Sequence, residues 1–136
     1  MKIFRYITII MLVILSVAGL FVGKVTAMDV TLSWDANTES DLAGYKVYYD
    51  LDSGEPYHGT GGTLQNGTPS PSPISMSLNQ DENIDPDLVE FTVYNLPGVY
   101  IYYFAVKAID DQGLESDYSN EVNTGERCVR NIRFEL

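Results

Sequence analysis

The residues with the clearest potential for chemistry form an acidic segment between positions 79 and 90. Their oxygen-bearing side chains fall at positions 1, 3, 5, 7, 9 and 12 of a twelve-residue loop, the spacing with which an EF-hand loop wraps a calcium ion. The glycine that such a loop needs at position 6 is replaced by Ile84. We therefore expect a solvated acidic loop, with calcium binding as the alternative. Asp87 stands at position 9, and the candidate ligands are Asn79, Asp81, Asn83, Asp85 and Glu90.

The side chains that nucleophilic or acid–base catalysis requires do not form a recognisable set. His58 is the only histidine, in a glycine-rich stretch, and Cys128 is the only cysteine. There is no nucleophile elbow of the form G-x-S-x-G, and carboxylates close in sequence are expected in so acidic a chain. We predict a protein without enzymatic activity or cofactor. A single cysteine also excludes an internal disulfide, so the hydrophobic core must stabilise the fold.

The N-terminus has the pattern of an export signal. Lys2 and Arg5 precede an apolar run over residues 6–22, and Val25 and Ala27 stand where a signal peptidase reads small residues. The sequence predicts a signal peptide at residues 1–27 and an extracytoplasmic protein. An uncleaved membrane anchor is the alternative, because the run approaches the ~20 residues that span a bilayer.

The charge of the chain limits its partners. Lys2, Arg5 and Lys24 are three of the eight basic residues, so removal of residues 1–27 leaves five basic against nineteen acidic residues, a net charge of −14. Such a field repels nucleic acid and anionic membrane surfaces. We therefore expect no nucleic-acid partner, and a membrane contact only if the N-terminal segment is retained.

Apolar and polar residues alternate in short runs along the rest of the chain, the pattern of half-buried β-strands. Turn-rich segments separate the runs, and the enlarged segment 51–89, rich in glycine and proline, predicts a long exposed connection. Short alternating strands between turns indicate an all-β sandwich. We expect strands at residues 30–34, 45–49, 91–96, 102–109 and 118–122, and a short edge strand at 74–78.

Trp34 ends the first predicted strand, and Leu96 is followed by a Pro-Gly turn and by Tyr102, which opens a Y-x-x-x-V-x-A pattern. This pattern resembles that of fibronectin type III domains, in particular of small exported bacterial ones. The resemblance covers roughly residues 29–124. It implies an immunoglobulin-like β-sandwich of about seven strands over residues 28–124, in which the Tyr102 hydroxyl bonds nearby backbone. The core residues that it implies are Trp34, Tyr45, Val47, Leu96, Tyr102 and Val106.

The same resemblance makes the strands at 45–49 and 102–109 antiparallel neighbours, which places Tyr48, Tyr103, Lys46 and Lys107 on one outer face. Exposed tyrosines beside cations suit a protein interface or the stacking of a sugar. Tyrosine is also simply a good strand former. We expect a non-catalytic exported module that binds another extracytoplasmic protein or a surface glycan. A structural spacer and a calcium-dependent adhesive module are the alternatives.

The C-terminal tail, residues 125–136, differs from the acidic body. It contains Arg127, Arg130 and Arg133 and alternates toward a large apolar end. The resemblance leaves little chain for a first strand, so the strand at 30–34 should have an open edge, and open edges recruit strands. We predict an extra strand at residues 129–135, with a disordered terminus as the alternative.

Overall fold

The computed structural model describes residues 25–125 and the backbone of residues 131–134. Apart from a three-residue 3-10 helix at Leu78–Gln80, the elements of this part are all β-strands, which confirms the predicted all-β class. Residues 1–24 of the predicted signal peptide, and Cys128, lie outside it. The strands are β1 (Ala27–Asp35), β2 (Leu42–Asp50), β3 (Ile74–Ser77), β4 (Leu88–Pro97), β5 (Tyr103–Asp110), β6 (Val122–Asn123) and β7 (Asn131–Phe134).

The first sheet has the strand order β4-β1-β7. β4 runs antiparallel to β1, with Leu32 opposite Phe91. β7 runs parallel to β1 on its other side, with Thr31 opposite Asn131. This is the edge of β1 at which the sequence predicts an added strand from the tail.

The second sheet has the strand order β3-β2-β5-β6, and all its pairs are antiparallel. β3 lies at one edge, over four residues of the predicted edge strand. The prediction of a strand at 118–122 is wrong except at Val122, because the described ladder with β5 at that edge is confined to Val122–Asn123, with one isolated bridge between Ile109 and Glu115.

Serine hydroxyls explain where that strand is interrupted. The backbone N–H groups of Val106 and Ala108, on the edge of β5, donate to Ser119 Oγ at 2.9 Å and to Ser116 Oγ at 3.0 Å. The backbone N–H groups of the two serines donate in turn to the carbonyls of Val106 and Ala108. The segment before β6 therefore satisfies the edge of β5 partly through side chains, which a regular ladder would not need.

The two sheets share one core, an arrangement consistent with a β-sandwich. Inward residues alternate along β1, β2 and β5, as the period of two requires. Trp34 packs edge-on against Tyr45, with ring centroids 5.2 Å apart. The core residues implied by the resemblance are all buried: Trp34, Tyr45, Val47, Leu96, Tyr102 and Val106.

Tyr102 departs from the expectation for its hydroxyl. The ring is buried, but within the described part of the chain no hydrogen bond is formed by Tyr102 Oη. The residue is held instead through its backbone, whose N–H donates to Thr124 Oγ1 at 3.0 Å. The predicted tyrosine-corner hydrogen bond is therefore wrong, while the buried position of the ring agrees with the prediction.

The enlarged segment 51–89 is only partly exposed, which corrects the prediction of an exposed connection. Its anchor is Tyr49 of β2, whose hydroxyl donates to the carbonyl of Ser70 at 2.8 Å and accepts the N–H of Gly62 at 3.2 Å. Gly62 and Ser70 are buried. The buried carbonyl of Ser70 and the buried N–H of Gly62 each need a hydrogen-bond partner that is not water, and the Tyr49 hydroxyl serves both. This hydroxyl therefore attaches the segment to the core.

The same segment also covers the free edge of β4. Thr63 exchanges two backbone hydrogen bonds with Tyr94, of 2.8 and 2.9 Å, and the N–H of Glu90 donates to Asp81 Oδ1 at 2.9 Å. Covered edges do not pair with other chains. Among the described residues, no helix is long and apolar enough to cross a membrane.

Candidate functional site

The candidate site lies on the outer face of the second sheet, where Lys46 of β2 is directly opposite Lys107 of β5. Like charges in this position destabilise a sheet unless an anion lies between them. Glu115, from the segment after β5, supplies that anion: its carboxylate hydrogen-bonds Lys46 and lies 3.6 Å from Lys107 Nζ. The hydrogen bond from Lys46, together with the charges of both lysines, holds the pKa of Glu115 below its usual range.

Tyr48 lies on this outer face but is not exposed, which corrects its predicted role as an open contact. Only 8% of its surface is accessible, because Tyr57 and Tyr118 fold over it from the two flanking segments. The Tyr48 ring centroid is 6.2 Å from that of Tyr57 and 4.9 Å from that of Tyr118, and the last two are 5.4 Å apart. We call these three rings the tyrosine cluster; they lie over the small, buried side chain of Ala105.

The ammonium group of Lys107 lies over two rings of the cluster, those of Tyr118 and Tyr48. It lies 4.1 Å from the centroid of Tyr118 and 5.9 Å from that of Tyr48, within range of a cation–π interaction. Tyr103, the other predicted contact tyrosine, packs at the border and is half-buried. The structure therefore brings together the four predicted surface residues Lys46, Tyr48, Tyr103 and Lys107. Tyr48 and Tyr57 at the centre of the cluster are buried, whereas Tyr118 and Tyr103, which we call the rim, are partly accessible.

Glu121 fixes the position of Tyr57. Its carboxylate accepts the Tyr57 hydroxyl at 2.7 Å, the Gly54 N–H at 2.6 Å and the Ser53 hydroxyl at 2.5 Å. Partial burial alone would raise the pKa of Glu121, but these three donors outweigh it and hold the pKa below the usual range. Burial, and then the hydrogen bond to Glu121, raises the pKa of Tyr57, so that its hydroxyl stays a donor. The loop that carries Tyr57 is thereby clamped to the second sheet.

The acidic segment around residues 79–90 uses its oxygens on the backbone. Asp81 Oδ1 accepts the N–H of Asn83 at 2.9 Å, Asn83 Oδ1 accepts that of Asp85 at 2.9 Å, and Asp85 Oδ1 accepts that of Asp87 at 3.0 Å. These successive side-chain turns direct the oxygens along the chain. In the described ranges, no group of three or more His, Cys, Asp or Glu side chains could hold a metal ion.

Of the two residues that the sequence offers for catalysis, His58 and Cys128, the structure describes His58. His58 is exposed, and its backbone N–H donates to Asp50 Oδ2 at 2.6 Å, which orders the start of the segment 51–89.

Four residues of the site were not found from the sequence: Tyr57, Tyr118, Glu115 and Glu121. Tyr57 and Glu115 lie in segments without strand periodicity, and Tyr118 and Glu121 lie in the segment 118–122, for which the sequence predicts a regular strand. In neither case does a local pattern place the side chain over β2 and β5. The nearest signal in the sequence is the isolation of Lys46 and Lys107, the only lysines in the described residues. Two cations on one face of so acidic a chain require neighbouring carboxylates, which a sequence this rich in Asp and Glu cannot single out.

Comparison of the chain with protein-family models, with curated proteins and with solved structures gives no match. What the fold and the site define is therefore an all-β protein with two sheets around one core and a second, aromatic cluster outside that core.

Proposed function

We propose that this chain is a non-catalytic, exported module of the fibronectin type III kind that binds another extracytoplasmic protein through the rim of the tyrosine cluster. The observation that carries the proposal is the presence of three packed tyrosine rings and a lysine outside the core, on the outer face of a sheet. A module that acts only as a structural spacer does not require an aromatic layer on the outer face of a sheet.

The strand pairing supports the kind of domain. In an immunoglobulin-like sandwich the second and fifth strands pair in one sheet, and the third, sixth and seventh form the other. Because the resemblance leaves little chain for the first strand of that fold, β1 corresponds to its second strand and β4 to its fifth. β1 indeed pairs with β4, and β2, β5 and β6, which correspond to the third, sixth and seventh strands, follow one another in the second sheet. The order agrees with the resemblance found in Trp34, Leu96 and Tyr102.

The properties of the rim favour a protein partner. Tyr118 and Tyr103 are half-buried, so each offers part of a ring whose orientation is already fixed by its neighbours. Rings that are fixed before binding lose little conformational entropy on binding, which is why tyrosine is enriched at protein interfaces. The acidic body around the rim favours a partner surface with basic or uncharged residues.

Stacking of a sugar is less well supported. It needs an open aromatic face, and the face of Tyr48 is covered by Tyr57 and Tyr118. A glycan would have to use the exposed part of Tyr118 alone, beside Lys107.

Photo-cross-linking in producing cells tests the proposal. A photoreactive phenylalanine analogue replaces Tyr118 in one variant and Ile84 in the other; Ile84 is fully exposed in the loop before β4, which belongs to the other sheet. We expect a discrete protein adduct from position 118 and none from position 84. If neither position gives an adduct and the purified chain is specifically retained on a glycan array, the proposed protein partner is wrong and the ligand is a glycan.

A further inference from the structure

An uncharged apolar surface lies at one end of the molecule, in the turn between β4 and β5. Three consecutive side chains are exposed there: Val99 to 66%, Tyr100 to 53% and Ile101 to 49%. Val25 beside the start of β1 is exposed to 60%. Grouped apolar residues in water usually mark a surface that binds something.

This turn is joined to the start of the described chain. The N–H of Gly98 donates to the carbonyl of Thr26 at 2.8 Å. A Cβ atom at Gly98 would lie 2.8 Å from that oxygen, so only glycine allows the approach. The turn and the chain that enters β1 therefore form one surface, which we call the entry end.

The segments that form the entry end contain no charged side chain, and the charged residues that flank them in the sequence are Lys24, Asp29 and Glu126. Neither residues 25–28 nor residues 96–103 contain an ionisable acid or base at neutral pH, and residues 123–125, which include the Gly125 that lies against Ile101, contain none. In a chain with nineteen acidic residues, such a surface can approach an apolar phase without burying a charge.

The apolar run at residues 6–22 identifies that phase. Thr26 follows Val22 by four positions, and a fully extended chain covers at most about 14 Å over that distance. If residues 6–22 cross a bilayer, Thr26 and the turn bonded to it must lie at its surface. Tyrosine is enriched at that depth because its ring is apolar and its hydroxyl is polar.

We propose that residues 6–22 are retained as an anchor and that the entry end rests in the headgroup layer of the same bilayer. The occupant of the surface is thus lipid with no net charge. Val99, Tyr100 and Ile101 insert beside the anchor and hold the sandwich with β5 pointing away from the membrane. This inference is independent of the proposed protein partner, whose site lies on the face of the second sheet.

Depth-dependent fluorescence quenching tests the inference on the full chain in phosphatidylcholine vesicles. The native Trp34 is buried in the core and gives a constant background. Tyr100→Trp places a reporter in the entry end. The matched control is Leu114→Trp, a position that is 66% exposed beyond the far end of β5. The eight residues of β5 separate the two positions by about 26 Å.

We expect brominated lipid to lower and blue-shift the emission of Tyr100→Trp and to leave that of Leu114→Trp unchanged. Val99→Trp provides a second reporter if Tyr100→Trp fails to fold, which loss of the Trp34 emission maximum would reveal. Equal quenching of the entry-end and control variants would overturn the inference. Isolation from producing cells of a chain that begins after Ala27 would also overturn it, because the anchor would then be missing.

Discussion

Replacing Tyr49 by phenylalanine removes one hydroxyl from the centre of the molecule and keeps the ring. In the folded chain that hydroxyl donates to Ser70 O at 2.8 Å and accepts from Gly62 N at 3.2 Å. Tyr49 has no accessible surface, and the other two residues are buried, so water cannot replace the lost partner without a rearrangement. The change therefore leaves one carbonyl and one N–H without a hydrogen bond.

The expected cost follows from these two groups. A buried polar group left without its partner costs about 1–3 kcal/mol, so we expect Tyr49→Phe to lower the free energy of unfolding by about 2–4 kcal/mol. For a domain of this size, that corresponds to a fall in Tm of roughly 10–20 °C. Equilibrium urea unfolding, followed by the fluorescence of the single tryptophan Trp34, measures it.

Tyr102→Phe is the matched control. Its ring is also buried, but the described part of the chain offers its hydroxyl no hydrogen bond. We expect a loss below about 0.5 kcal/mol, less than one net hydrogen bond. A larger loss for Tyr102→Phe than for Tyr49→Phe would refute the reasoning and restore the tyrosine corner that the resemblance implies.

Four further outcomes are expected. Trp34→Ala should cost about 3–5 kcal/mol through the cavity that it leaves, and an unchanged Tm would mean that the core is wrongly assigned. The pKa of Glu115 in the folded chain is lowered mainly by the hydrogen bond from Lys46. Ionised Glu115 therefore stabilises the fold at any pH above 4.5, the pKa of the unfolded chain, and this stabilisation is lost as the pH falls through the lower pKa of the folded chain. A pH series of Tm should accordingly fall less steeply below pH 4.5 for Glu115→Gln than for the wild type, and parallel curves would contradict the ion pairs. Deleting residues 126–136 should lower Tm or produce oligomers, because the edge of β1 is opened, whereas identical Tm and elution volume would argue against the β1–β7 pairing. Calcium should leave Tm unchanged, because the Asp81 carboxylate is engaged by backbone N–H groups; a rise that Asp81→Asn abolishes would favour the calcium-dependent alternative.

The residues that form the core of the strands could be predicted from the sequence, because their burial depends on local geometry. Successive side chains in a strand must point to opposite faces, so the alternation in β1, β2 and β5 indicates which residues are inward. Leu32, Tyr45 and Phe104 follow that rule and are fully buried. The pairing of β2 with β5 required the resemblance in addition, because alternation does not choose a neighbour.

The packing of Tyr57 and Tyr118 over the outer face of the second sheet could not be predicted in the same way. Alternation correctly takes Tyr48 out of the core, but it does not show that irregular segments return over it. Tyr57 and Tyr118 reach Tyr48 because Glu121 clamps one segment and serine hydroxyls bind the other to β5. Such contacts join residues far apart in sequence through side chains, and no periodicity records them.

The affinity of the cross-linked partner for variants of the rim tests the central claim most directly. Tyr118→Ala removes a half-buried ring at the rim, and Ile84→Ala removes a fully exposed side chain from the loop before β4. With both variants shown to be folded by Trp34 emission, we predict that Tyr118→Ala weakens binding by about tenfold or more, the loss of roughly 1.4 kcal/mol expected of a residue that matters at an interface. Ile84→Ala should bind like the wild type. Equal affinities for the wild type, Tyr118→Ala and Ile84→Ala would contradict the assignment of the tyrosine cluster as the binding surface.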